Sequence, residues 1–401
     1  MCYWWYNLGD MKGQDVIHVG LNAHLLAQQV GYRRGGIHNY IEQLIQHLPA
    51  VDPSVKVSVF TGRAHKGRHD AQDVPGWRIS RWPTERPWVR VAWEQLVQPW
   101  AVYRAGVQLL HALAFVSPLV SVVPAVITVH DLSFLRFPER FRPANRLYLS
   151  TMTRLSCRRA RRVIAVSQAT ADEIVRLLGV TAGRVDVVPN GVDHARFRPL
   201  PPDQVTAFRR QKRLPDHFVL YLGTLEPRKN LVTLIEAFAR TRAVRPGATL
   251  VLAGGKGWYY QEIFKRVEEL DLTDAVHFPG FVPDAELPLW YNAATAFVYP
   301  ALYEGFGLPL LEAMACGTPV IGSAASCIPE VVGDAGLLVP PGDVVGLAGS
   351  VERLLADADA RIELGRRGRT RAAAYTWEAS ARATVASYQS ALDTGSAREG
   401  R

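Results

Sequence analysis

The chain has 401 residues, 48% hydrophobic and 21% charged, which suits two ordinary domains and excludes disordered and fibrous classes. Its net charge of +9 is lopsided: residues 1–200 hold 25 Lys and Arg against 14 Asp and Glu, and residues 201–401 hold 21 against 23. A basic first half calls for an anionic partner or surface, or is a solvated basic face. The cysteines Cys2, Cys157, Cys316 and Cys327 are scattered with no Cys-x-x-Cys pair, which points to reduced thiols in a cytoplasmic protein without structural zinc.

Met1 to Leu8 is short and aromatic, with neither the basic leader nor the cleavage site of a signal peptide. Met11 is a candidate true start, which would make residues 1–10 an artefact. Apolar β-branched runs then alternate with helical patterns, the signature of parallel sheets with crossover helices. In the first half, strands are expected near Val16–Leu21, Val55–Phe60, Leu109–Ala112, Ala125–Val129, Val163–Val166 and Val185–Val188, with helices over Ile37–Leu48, Asn145–Arg158 and Thr170–Leu178. The uncharged run Leu109–Val129 is long enough to cross a bilayer. Pro118, Pro124 and His111 interrupt it, so two buried strands joined by a loop explain it better.

Phe197-Arg-Pro-Leu-Pro-Pro202 is a proline-rich connector that neither a helix nor a sheet interior tolerates. Beyond it, strands are expected at Phe218–Leu222, Leu250–Ala253, Val276–Phe278, Ala296–Tyr299, Pro319–Gly322 and Gly336–Val339, with helices over Leu231–Ala243, Tyr260–Leu270, Glu286–Ala293 and Pro309–Cys316. The expected organisation is a first Rossmann-like domain over 16–198 and a second over 203–376. A final helix, Trp377–Leu392, is a candidate to pack back on the first. Two doubly wound domains joined this way face a central cleft at the carboxyl ends of their strands, where ligands bind in such sheets.

The densest chemical signal is Tyr299-Pro-Ala-Leu-Tyr-Glu304-Gly-Phe-Gly-Leu-Pro-Leu-Leu-Glu312-Ala-Met-Ala-Cys-Gly317. A strand ends at Tyr299, and Pro309 falls in the first turn of the next helix, where proline is favoured. Gly305 and Gly307 allow backbone to approach a ligand, and the free amides of the helix start around Leu308 suit a phosphate. Glu304 on the loop and Glu312 one turn into the helix would flank one nucleotide-sized pocket. Singly they read as a helix-dipole partner and an exposed helix residue; the combined string argues against that. Arg228 and Lys229, with Pro227 pinning their loop and Asn230 expected as an N-cap, are two cations at a strand's carboxyl end, able to neutralise a diphosphate.

These strings resemble glycosyltransferase family 4, retaining enzymes of GT-B fold. The likeness runs through Gly35-Gly36, His130-Asp131, Ser167, Pro189-Asn-Gly-Val-Asp193, Gly223-Thr-Leu-Glu-Pro-Arg-Lys-Asn230, Gly254-Gly255 and Pro279-Gly-Phe-Val282. The resemblance implies that Glu304 contacts hydroxyls of a donor sugar and Glu312 the ribose. It puts His130 near the reacting centre, Gly36 at a phosphate or acceptor, and the base near Phe281 and Val282. The implied reaction moves a hexose from a nucleoside diphosphate sugar, a co-substrate, to an acceptor hydroxyl, and no cofactor is expected. The segment Val129-His-Asp-Leu-Ser-Phe-Leu-Arg-Phe-Pro138 is similar to mannosyltransferases of surface-polysaccharide assembly, which favours GDP-mannose over UDP-glucose or UDP-N-acetylglucosamine. A sugar-nucleotide epimerase of the same fold and a catalytically silent sugar-nucleotide-binding protein are the rival readings.

Asp357-Ala-Asp359 matches the Asp-x-Asp string of metal-dependent glycosyltransferases. It lies between polar helical segments far from the other landmarks, so surface charge at a helix turn is the better account and no catalytic metal is expected. The run Arg154, Arg158, Arg159, Arg161, Arg162, and the mixture Arg81, Trp82, Arg86, Trp88, Arg90, Trp93 upstream, suit an anionic membrane bearing a glycan or polyprenyl-linked acceptor. No nucleic-acid module is visible. Glu304→Ala is expected to spare folding, on the ground that a site glutamate lies outside the core.

Overall fold

The computed structural model describes residues 16–26, 35–63 and 76–396; Cys2, Met11, the stretch 1–10 and the pair Arg33-Arg34 lie outside them. Two parallel sheets organise the chain, as the alternation of strand and helix patterns predicts. The first joins β1 (Ile17–Asn22), β2 (Val55–Thr61), β3 (Trp77–Ile79), β4 (Leu109–Ala112), β5 (Ala125–Val129), β6 (Arg162–Ala165) and β7 (Val185–Val187) in the order β3-β2-β1-β4-β5-β6-β7. The second joins β8 (Val219–Leu222), β9 (Leu250–Ala253), β10 (Val276–Gly280), β11 (Ala296–Tyr299), β12 (Val320–Ser323) and β13 (Leu337–Val339) in the order β10-β9-β8-β11-β12-β13. Both are doubly wound Rossmann-like sheets. The edge strand β3 was not foreseen: three residues between Gly76 and Ser80 carry no alternation to read.

Helices cover both faces of each sheet, which is why the strand interiors are continuous apolar runs. In the first domain these are α1 (Gly36–Val51), α2 (Pro87–Ala92), α3 (Gln98–Arg104), α4 (Ser133–Arg136), α5 (Pro143–Arg159) and α6 (Gln168–Glu173). In the second they are α7 (Pro202–Lys212), α8 (Leu231–Val244), α9 (Gln261–Glu269), α10 (Leu287–Ala293), α11 (Leu308–Ala315), α12 (Ile328–Val332), α13 (Val344–Ala356) and α14 (Ala358–Ala372). The apolar stretch Leu109–Val129 forms β4 and β5, all of whose residues are buried. Among the described residues no helix is long and apolar enough to cross a membrane.

The last helix, α15 (Trp377–Ser396), leaves the second domain and packs on α1. Trp377, Ala381, Val385, Tyr388 and Ala391 are buried in one cluster with Tyr40, Leu44 and Val57 of the first domain. A buried polar chain fixes the seat: the Tyr388 hydroxyl meets His111 Nδ1 at 2.7 Å, His111 Nε2 meets the Thr128 hydroxyl at 2.8 Å, and Thr128 meets the Tyr40 hydroxyl at 2.9 Å. Burial holds the His111 imidazole down to about 3, so it is neutral, one nitrogen donating and the other accepting. Where the chain returns, Val192 donates its amide to the Tyr375 carbonyl at 3.1 Å. Val192 and Phe197, both upstream of the proline connector's end, are buried in the second domain's core.

Strand order reverses between β1 and β4 in the first sheet and between β8 and β11 in the second. Loops leaving the carboxyl ends of such strands diverge to opposite faces and open a crevice, the ligand-binding edge of the fold. Arg228 and Lys229 follow β8, and Glu304 follows β11.

Candidate active site

The switch point of the second sheet carries a buried network of ions. After β8 the chain makes a single tight turn over Pro227–Lys229, and the Arg228 carbonyl accepts from the Leu302 amide at 2.9 Å, tying this loop to the one after β11. Lys229 is buried; its ammonium donates to the Tyr299 hydroxyl at 2.6 Å and to the Glu304 carboxylate, and sits 4.9 Å from the Tyr299 ring centroid. Arg228 stands 3.2 Å from the same carboxylate, donates to Glu226 at 3.1 Å and to the Tyr303 carbonyl at 2.9 Å. Burial pushes the Glu304 carboxyl up, but Lys229 and Arg228 more than offset it and hold it below the ordinary value. Burial likewise works against the Arg228 charge, and Glu304 and Glu226 outweigh it, raising the guanidinium well above its ordinary value. The result is two cations and two carboxylates, largely desolvated and held ready rather than loose in water.

On the other side of that loop, Gly307 adopts a left-handed φ of 96° and opens α11 with Pro309 in its first turn. Leu308 is the first helical residue; Pro309 has no N–H and the Leu310 and Leu311 amides bond to the Gly307 carbonyl at 3.0 and 3.4 Å, which leaves the Leu308 amide as the donor of the helix start. Glu312 lies one turn further and accepts from the Tyr291 hydroxyl at 2.9 Å. Burial raises its carboxyl to about 7, with the Tyr291 bond opposing. Phe281 is exposed and Val282 is buried in the second core.

The first domain brings its own landmarks to this loop. His130 follows β5; its Nε2–H donates to the Leu113 carbonyl at 2.8 Å, which leaves Nδ1 with the lone pair. Burial lowers its pKa, so the ring is neutral, and it packs edge-on to Tyr40 with centroids 4.7 Å apart. Gly305 lies directly against this strand end: a Cβ there would overlap the His130 carbonyl oxygen. Only glycine permits that approach, and it brings His130 beside Glu304. Gly36 opens α1, and a Cβ on it would stand 3.4 Å from Leu308. Residues from four separate strings, His130, Gly36, Arg228-Lys229 and Glu304–Leu308, thus line one region between the sheets.

Three partners in this network went unread in the sequence. Glu226, Tyr299 and Tyr303 complete the hydrogen bonding of Arg228 and Lys229. All three stand inside the strings quoted above, but nothing in linear order says that they touch a cation. Asn230 departs from expectation. It precedes α8 in a left-handed conformation with φ 58° and makes no capping hydrogen bond; its side-chain oxygen accepts from the Thr233 hydroxyl at 2.8 Å instead. Asp357 caps α14, accepting from the Ala360 amide at 2.9 Å, which accounts for the Asp-x-Asp string as helix chemistry. Among the described residues no group of three or more His, Cys, Asp or Glu is arranged to hold a metal ion.

The expectation that Glu304→Ala spares folding is corrected by the burial. The Glu304 side chain is only 12% exposed and the Lys229 side chain 8%. Removing the carboxylate leaves buried cations short of a counter-ion, so Glu304→Ala should cost about 3 kcal/mol in urea denaturation. Glu312 yields a pH signature. The folded state keeps a proton up to about pH 7 that the unfolded carboxyl loses near 4.5, so this group's contribution is most favourable below that lower value and declines as pH rises to 7. Without ligand, Glu312→Gln should therefore exceed the parent protein at pH 8 by up to about 3 kcal/mol and match it at low pH. Equal stability curves at both pH values would contradict a raised carboxyl.

Residues 34–196 match the family described as Glycosyltransferase Family 4, and residues 204–371 the family described as Glycosyl transferases group 1. The chain is 30% identical over 377 residues to O-antigen chain mannosyltransferase B of Escherichia coli, covering 90% of this chain and 98% of the relative. It is 32% identical to a D-inositol 3-phosphate glycosyltransferase of Frankia alni, covering 89% and 95% respectively. Among solved structures, sucrose-phosphate synthase from Thermosynechococcus elongatus superposes with a TM-score of 0.75 at 28% identity, over 94% of this chain and 100% of that one. With both family matches, a near full-length relative and two Rossmann-like sheets in hand, the chain belongs to glycosyltransferase family 4 and has the GT-B fold.

Proposed function

We propose that this glycosyltransferase moves a mannosyl group from GDP-mannose to a hydroxyl of a glycan or polyprenyl-linked acceptor, with retention at the anomeric carbon. The observation that carries the reading is the convergence of Arg228, Lys229 and Glu304 on the loop that leads into α11 and its Leu308 amide. As the glycosidic bond breaks, negative charge builds on the departing diphosphate. Arg228, Lys229 and the Leu308 amide would receive it, in place of a divalent metal, and the loss of one such donor typically slows a reaction ~10²–10³-fold. Glu304 would orient sugar hydroxyls, Glu312 the ribose, and the Phe281–Val282 segment the base. His130, neutral and fixed by Leu113, would meet the sugar through hydrogen bonding rather than as a charged acid. No side chain takes the part of a covalent nucleophile in this reading, so departure and attack share one face of the sugar. The choice of mannose draws on the Escherichia coli mannosyltransferase relative. Free GDP and GDP-mannose should raise the melting temperature more than UDP, UDP-glucose or UDP-N-acetylglucosamine. Arg228→Ala with Lys229→Ala should lower GDP affinity by at least about 100-fold in calorimetry. Unchanged affinity would end the phosphate assignment.

The same reading places the enzyme in the cytoplasm at the inner membrane face, with exposed aromatics rather than the arginine run as the surface that would touch lipid. The arginine run keeps its charge but is tethered, exposed Arg154 to the Leu177 carbonyl and Arg159 to that of Leu119, both at 2.7 Å, and Arg158 to that of Leu178 at 3.3 Å, while Arg162 pairs with Asp186. Trp93 is buried in the core. The neighbouring helices tell otherwise, with Trp88 70%, Leu96 76%, Trp100 58% and Tyr103 71% exposed, and the Arg104 guanidinium 4.8 Å from the Trp100 ring centroid. Indole and guanidinium side by side suit an anionic headgroup region, each basic residue adding about 1 kcal/mol. Trp88→Ser with Trp100→Ser should cut adsorption to phosphatidylglycerol vesicles at low salt by at least about tenfold, whereas Arg159→Gln should not. Equal adsorption of all three proteins would refute this surface.

A further inference from the structure

Helix α6 is where the first domain meets the second beside Glu304, and it does so at three points. The amides of Gln168 and Ala169 donate to the Glu330 carboxylate of α12 at 2.9 and 3.4 Å. The Thr170 hydroxyl donates to the Gly305 carbonyl at 3.3 Å. At its far end Glu173 accepts from the Tyr303 hydroxyl at 2.6 Å, while Arg136 holds the same carboxylate at 2.7 Å.

Tyr303 is the hub of these contacts. Its hydroxyl gives its proton to Glu173 and accepts the Leu132 amide at 2.8 Å, both across the domain boundary. Its carbonyl, facing the other way, accepts from Arg228 at 2.9 Å. Leu132 stands two residues after His130 and Tyr303 one residue before Glu304. Tyr303 and Glu173 are both buried, and polar groups in that setting cost free energy unless every partner is present. The Leu132 amide and the Glu173 carboxylate find this partner only when the two domains are in register.

We propose that Tyr303 and Glu173 are positioning residues that lock the two domains in the transfer-competent register, setting the His130 strand end against Glu304 and Arg228. The inference rests on the reading of Arg228, Lys229 and Glu304 as the donor site. Donor binding needs the second domain's ions, whereas transfer needs both domains placed together; a misplacement of about 1 Å at a reacting centre can cost 10²-fold in rate. Loss of the latch therefore lowers kcat and leaves nucleotide affinity alone. A hydroxyl that served packing alone would not produce that split.

The test uses the full chain with Tyr303→Phe, Glu173→Gln, their combination, and Glu304→Gln. GDP release from GDP-mannose, with water taking the mannosyl group in place of an acceptor hydroxyl, reports turnover, calorimetry reports GDP affinity, and hydrogen exchange reports the Leu132 amide. Tyr303→Phe should lower kcat by about 10- to 100-fold at unchanged GDP affinity. The Leu132 amide should exchange at least about tenfold faster. The double variant should be no slower than Tyr303→Phe, because both remove one shared interaction. Parent-like turnover in Tyr303→Phe, or parent-like exchange at Leu132, overturns the latch. Full turnover in Glu304→Gln, or no GDP binding by the parent chain, overturns the donor-site reading instead. The Leu132 exchange then still decides the latch, since it needs no turnover. Should Tyr303→Phe fail to fold, Glu173→Leu, which takes away the acceptor of the Tyr303 hydroxyl, carries the same comparison in turnover and GDP affinity.

Discussion

Charge balance inside the second domain is the constraint on which the site depends. Arg228 and Lys229 are carried into a poorly hydrated place at the reversal of strand order, and a cation there is tolerated only with partners. Glu226, Glu304, Tyr299 and the Tyr303 carbonyl supply them. The same contacts that repay desolvation also fix the geometry, so both cations are held at set positions before any ligand arrives. A pair of surface lysines would offer equal charge with none of that order, and its interaction with a diphosphate would be weakened by water and salt.

The first domain contributes shape more than charge. Gly305 lets the Glu304 loop press on the carbonyl of His130, and Gly36 brings the start of α1 close to Leu308. Both approaches join residues more than 170 positions apart in the chain. The first domain in turn depends on the chain's far end, because α15 fills part of its core and its Tyr388 anchors to His111. Each domain is thus completed by residues from beyond the proline connector, which ties their relative placement to folding itself.

The excess positive charge of the first half divides into two physical populations. Arginines of α5 and β6 reach back to carbonyls at the ends of other segments, where a guanidinium fork satisfies acceptors that no amide can reach. Those on α2 and α3 work through side chains instead: Arg104 lies over the Trp100 ring and Arg90 pairs with Glu94. Counting charges along the sequence treats these populations alike; hydrogen bonding separates them.

Linear pattern was enough for the two-sheet architecture, because buried parallel strands are short apolar runs whatever they pack against. β4, β5, β9 and β11 begin and end where those runs do. Local chemistry also placed glycine, proline and the Glu304–Glu312 string at a loop and helix start. What it missed depends on partners remote in sequence. Glu226 as a counter-ion, Tyr303 as a bridge and the unsatisfied capping role of Asn230 all follow from which loop lies opposite. The exposure of Glu304 was misjudged for the same reason: whether a carboxylate is solvated depends on what surrounds it, not on its own loop. Residue order alone determined which segments form the two sheets, the edge strand β3 excepted, and which loops carry chemistry. Only the tertiary structure decided which charges neutralise one another, because Coulomb and hydrogen-bond energies act through space at a few ångströms, across any separation along the chain.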